Sequence, residues 1–153
     1  MKTIPNDYFF IFVEEEISKG KNVRFRVKGF SMLPVIRNMR DDVILYPCNA
    51  EELQPLDIVL FKFNGRHILH RIIRKEGDTF IIQGDGIYAS HEYCKPEDIV
   101  GKVEYIIRGK HTISVHSKSF RVYSKLWYHL RGIRRYLLFI NRVMTRIFGS
   151  HQS

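Results

Sequence analysis

Ser31 sits in the segment Gly29-Phe30-Ser31-Met32-Leu33-Pro34, directly after an alternating stretch that ends at Gly29. A serine placed where a strand breaks into a tight turn exposes its hydroxyl and leaves its own N–H unpaired, which an acyl-transfer nucleophile and its oxyanion site require. Serine is also an ordinary turn residue, so this segment alone does not decide between chemistry and structure. A second chemistry is offered by His67-x-x-His70 and His91-x-x-Cys94, whose spacing suits a tetrahedral zinc site. Residues three apart on a strand point to opposite faces, so His67 and His70 converge only at a bulge. No metal site is therefore expected.

The order of the motifs after Ser31 carries more information than any one of them. Ser31-Met32-x-Pro34 is followed by Leu56-Asp57-Ile58-Val59, Leu69-His70-Arg71-Ile72-Ile73, Gln83-Gly84-Asp85-Gly86 and Ile99-Val100-Gly101-Lys102-Val103. Box by box, this series resembles the serine peptidases that include type I signal peptidases and the self-cleaving, LexA-like SOS repressors. The match runs from about Val23 to Val103. The resemblance implies a mostly β catalytic domain in which Ser31 attacks a peptide carbonyl. It also implies a base on the strand that holds His70, a position that is lysine in the bacterial signal peptidases and histidine in the variant this chain follows. An imidazole titrates near 6.5 and needs little tuning to accept the Ser31 proton at neutral pH.

A histidine base works best with a carboxylate that fixes its tautomer and stabilises the imidazolium. Asp85, in the Gly-Asp-Gly turn, is the first candidate for that role, and Glu92 is the alternative. Leu56 stands where the family pattern has glycine. The oxyanion is expected at the N–H of Ser31 with a neighbouring donor from the Gly29–Phe30 turn. The chemistry needs neither a metal nor an organic cofactor.

Positioning these residues requires an α+β fold of mostly β structure. Apolar residues at helical spacing predict an N-terminal helix over 7–19, closed by Gly20. Val23, Phe25 and Val27 alternate with Arg24, Arg26 and Lys28, a half-buried strand. Strands are also expected at 43–46, 57–63, 66–74, 79–83, 99–108 and 111–116, and Asn64-Gly65 is a strong hairpin signal because both residues tolerate positive φ. From Ser119 to Phe148 the helical period returns, with Gly132 marking a kink or split. The peptidase-like domain is thus 1–118, and 119–148 is a basic amphipathic helical extension, either part of the same domain or peripheral to it.

Charge separates these two parts. The chain of 153 residues has a formal net charge of +9, yet Tyr105 to Ser153 holds 10 Lys/Arg and no Asp or Glu. Lys125, Arg131, Arg134, Arg135, Arg142 and Arg146 accompany Trp127, Tyr128, Tyr136 and Phe139, a composition that suits an anionic bilayer surface. The plainer alternative is a helix packed on the sheet with its arginines solvated. No helix-turn-helix, zinc-finger or RNA-binding signature favours nucleic acid. The apolar run Tyr8–Val13 is too short for a signal peptide or a membrane span and is ended by Glu14, Glu15 and Glu16. The expected location is the cytoplasm, with peripheral attachment to the inner membrane surface open to the C-terminal helix. Two cysteines outside any CxxC motif, Cys48 and Cys94, are expected as reduced thiols. The expected activity is that of a serine endopeptidase acting on a precursor, leader or regulatory peptide. The alternatives are a non-catalytic peptide-binding relative and a membrane- or nucleic-acid-binding protein driven by the cationic tail.

Overall fold

The computed structural model describes residues 6–149. Helix α1 (Asn6–Ser18) precedes eight strands: β1 (Val23–Arg26), β2 (Asp41–Tyr46), β3 (Ile58–Phe63), β4 (Arg66–Glu76), β5 (Thr79–Gln83), β6 (Glu92–Cys94), β7 (Ile99–Arg108) and β8 (His111–Ser114). Helices α2 (Lys118–His129) and α3 (Arg134–Gly149) close the chain. All strand pairs are antiparallel, in the order β1-β2-β7-β3-β4-β5-β6, with β8 beside β7. The architecture is α+β, as the sequence patterning predicts.

The central strands are buried on both faces, which explains why β3 opens with four consecutive apolar residues, Ile58 to Phe61. Ile58 and Leu60 enter one core cluster with Val13 and Ile17 of α1, whereas Val59 and Phe61 enter a second with Ile72, Phe80 and Ile82. A period of two divides one strand between two cores. Asn64 and Gly65 both have positive φ, 50° and 74°, and turn β3 tightly into β4. That hairpin fixes a register in which Val59 faces His70 and Ile58 faces Arg71.

One strand and one side chain differ from the sequence expectation. The short strand β6 is not foreshadowed by alternation, because it contributes only three residues at the sheet edge. The C-terminal stretch is two helices, split where Gly132 marks it, with a 3₁₀ turn at Arg131–Ile133 between them. Ser117 caps α2 by accepting a hydrogen bond from the Phe120 N–H. Trp127 of α2 and Arg134 and Leu138 of α3 are buried. Arg134 thus departs from the expectation of a solvated cation. Its guanidinium lies over the Trp127 ring and donates to Gln83 Oε1 and the Ile87 carbonyl, each at 3.2 Å. Among the described residues no helix is long and apolar enough to cross a membrane.

Candidate active site

The chain leaves β1 through Val27 and enters a turn whose flanks are held by the core. Met32, Val35 and Ile36 are buried in the α1-side cluster, so Ser31 is presented from an anchored segment. The Gly29 N–H donates to Asn38 Oδ1 at 2.8 Å and is committed to that bond. Among the described residues the N–H groups of Phe30 and Ser31 donate to nothing, and these are the donors left for an oxyanion. Ser31 and Gly29 also line a cleft of about 210 Å³ together with His67, Ile68 and Leu69 of β4.

His70 is 4% exposed on β4, its ring 6.1 Å from that of Phe61. The β4–β5 register pairs Arg71 with Gln83, so the residue facing His70 is Gly84, just past the end of β5. A methyl placed on Gly84 would stand 2.3 Å from the Ser31 carbonyl oxygen and 2.9 Å from His70 Nε2. The missing side chain is therefore what allows the Ser31 turn and the imidazole to share one space. Gly86 continues this backbone-to-backbone fit, donating its N–H to the Ser31 carbonyl at 2.8 Å. Among the described residues the Ser31 hydroxyl makes no hydrogen bond to His70.

The far side of the imidazole is held by Glu92. On β6 this residue pairs with Ile82, which in turn pairs with Ile72, two residues from His70 on the same face. Its carboxylate accepts from His70 Nδ1 at 3.0 Å. With Nδ1 donating to Glu92, Nε2 keeps its lone pair, and it borders the same space at Gly84 as the Ser31 carbonyl. The Glu92 side chain is 17% exposed and that of His70 6%.

Asp85 takes a different place from the one expected for it. Both of its oxygens are occupied by the fork of Arg71, at 2.8 Å from Nε and 2.9 Å from Nη2, and the pair is almost fully buried. Arg71 follows His70 on the strand and so points to the opposite face, where it also donates to the Leu56 carbonyl at 2.9 Å. The carboxylate that reaches His70 is Glu92, while Asp85 ties the Gly-Asp-Gly turn to the sheet. The Trp127 indole N–H adds a third restraint, donating to the Asp85 carbonyl at 3.0 Å.

The remaining histidines and cysteines do other things. His67 pairs with Glu14 and stacks on Phe10 at 4.8 Å, linking β4 to α1. His91 contacts the Tyr93 hydroxyl at 3.0 Å. Cys48 and Cys94 are free thiols, and burial, with Asp98 and Glu97 nearby, pushes Cys94 up to about 12. No group of three or more potential ligands is gathered for a metal among the described residues.

Sequence reasoning gave no role to Gly84, Arg71 or Asn38. Extending the register straight from the Glu76-Gly77-Asp78 turn sets Asp85 opposite His70; the bulge between Ile72 and Arg74 shifts the pairing by one residue and brings Gly84 there instead, and the spacing carries no signal for that bulge. Compared with known proteins, the chain matches no family model and no curated sequence.

Proposed function

We propose that this protein is a serine endopeptidase of the signal-peptidase and SOS-repressor kind, with Ser31, His70 and Glu92 as its catalytic residues. What supports the reading is the relation at Gly84: His70 Nε2 and the Ser31 carbonyl both lie within 3 Å of where a side chain there would stand, and Nδ1 is bound to a carboxylate. In the reaction, Ser31 Oγ bonds to the scissile carbonyl carbon as its proton passes to His70 Nε2. The carbonyl oxygen, now an anion, accepts from the N–H groups of Ser31 and Phe30. His70 then protonates the amine as the C–N bond breaks, leaving an acyl-Ser31 ester. Water, losing its proton to His70, hydrolyses that ester and restores the hydroxyl. The cleft between Gly29 and β4 is the place this reading assigns to an extended peptide, and the substrate class is a precursor, leader or regulatory peptide.

Digestion of a complex peptide library, read by mass spectrometry, tests this. New termini are expected with the wild-type protein, and their rate of formation should fall on the order of 10⁴-fold in Ser31→Ala and in His70→Ala. Undiminished cleavage in both variants, or none by the wild type, overturns the proposal. The absence of a Ser31–His70 hydrogen bond favours a second reading, a non-catalytic binder that takes a peptide as an added strand. That reading expects peptide binding without cleavage, unchanged in Ser31→Ala.

A further inference from the structure

Helix α3 touches the rest of the protein along one edge. Arg134 and Leu138 are buried, Asn141 is half-buried, and every described residue from Arg142 onward is exposed. On the side away from that edge Tyr136, Phe139, Ile140, Val143 and Ile147 recur at helical spacing, each 38–66% exposed. A continuous apolar face of this kind, turned to water, marks a surface that meets something apolar.

The flank of the same helix is cationic. Arg142 and Arg146 line a groove of about 570 Å³ with Arg37, Phe30 and Leu33. Among the described residues none of these three guanidiniums is paired with a carboxylate, whereas those of Arg24, Arg26, Arg40, Arg71, Arg74 and Arg108 are. Phe30, 67% exposed, lines this groove as well. One face thus combines apolar side chains with cations that lack counter-charges. A second copy of this chain cannot supply those charges from the same region, since no Asp or Glu follows Glu104.

We propose that α3 lies on an anionic phospholipid surface, its apolar side chains in the acyl boundary and a lipid phosphate held by Arg37, Arg142 and Arg146. The chemistry is that of an interfacial helix, in which apolar burial and attraction to anionic lipid add together. Because Phe30 and Leu33 belong both to the groove and to the Ser31 turn, the bound protein carries its Ser31 cleft at the lipid surface. The proposal is independent of the peptidase reading, because it concerns binding alone.

Sedimentation with lipid vesicles tests it. Vesicles of phosphatidylcholine with one-third phosphatidylglycerol should bind the full chain on the order of tenfold more tightly than phosphatidylcholine alone, and high salt should reduce the difference. Arg142→Gln/Arg146→Gln should abolish the preference for phosphatidylglycerol. Ile140→Asn/Val143→Asn should weaken binding to both vesicles, with far-UV circular dichroism unchanged because these side chains are exposed. Equal binding to neutral and anionic vesicles, or none to either, overturns the proposal. So does a concentration-dependent dimer lost in Ile140→Asn/Val143→Asn, or arginine-dependent capture of a polyglutamate peptide by a protein that ignores vesicles. Ser31→Ala should bind vesicles like the wild type, which separates this result from any failure of the peptidase reading.

Discussion

Glu92 reaches His70 over the end of the strand that lies between them, its Oε2 3.0 Å from Nδ1. Two facts make this possible. Glu92 is held on β6 opposite Ile82, and the residue facing His70 from the intervening chain is glycine. Replacing the carboxylate by an amide of the same shape lets the partner of Nδ1 be a donor, which favours the wrong tautomer. Glu92→Gln should therefore leave the fold intact and reduce peptide cleavage on the order of 10⁴-fold, an effect read from initial rates at saturating peptide. Equal rates for Glu92→Gln and wild type would remove Glu92 from the mechanism.

The narrow space around Gly84 gives a test that is independent of titration. A Cβ at that position meets Ser31 O at 2.3 Å and His70 Nε2 at 2.9 Å, and the first contact is with backbone that cannot swing aside. Gly84→Ala should destabilise by about 1–3 kcal/mol, as overpacking does, and should impair cleavage by displacing Ser31 from His70. Gly132→Ala is the control. A Cβ there meets nothing within 4 Å and the residue does not need positive φ, so stability should hold or rise by up to about 1 kcal/mol. Urea denaturation compares the two variants directly.

Arg71 and Asp85 form the buried pair that secures the Gly-Asp-Gly turn. Removing one partner leaves the other charge buried and uncompensated. Asp85→Ala should therefore cost about 3–5 kcal/mol in stability, far more than Glu92→Gln. This ordering distinguishes the two carboxylates: one acts through the fold, the other through His70. A double variant that replaces both charges, Arg71→Met/Asp85→Leu, should recover much of the loss, as double-mutant analysis of the denaturation midpoints would show.

Why the two carboxylates trade places can be traced to what a sequence exhibits. Alternation and the Asn64-Gly65 turn were legible, and they suffice to place His70 on β4 beside β3. Ser31 was legible from the break at Gly29. Glu92 was harder, because β6 is three residues long and its side chain acts across a neighbouring strand, a relation with no periodic signature. Asp85 lies close to the glycines that flank Ser31 in space, yet Arg71, on the face opposite His70, captures it with a geometry that only the sheet's pleat dictates. The split of the C-terminal helix was marked by Gly132. The burial of Arg134 was not, since a cation among apolar residues reads the same whether it is solvated or stacked on Trp127.

Acid stability should be governed by Asp41, at the start of β2. Its side chain is fully buried, and burial alone would raise its titration point. Hydrogen bonds from Arg40 and Arg108 and from the Arg37 N–H outweigh burial and bring it down to about 2. A carboxyl titrating near 3.9 in the unfolded chain and lower in the folded one stabilises the fold fully above about pH 4, and this contribution disappears as the pH falls toward 2. The wild-type denaturation midpoint should accordingly drop between pH 4 and 2.5. Asp41→Asn should be less stable at pH 7, because two arginines lose the negative charge and one of the two oxygens they share, and its midpoint should vary less with pH over the same window. If Asp41→Asn and wild type lost stability in parallel below pH 4, the acid sensitivity would lie with another carboxylate, and Asp42, held low by Arg26 and Arg24 against its own burial, would be the next to replace.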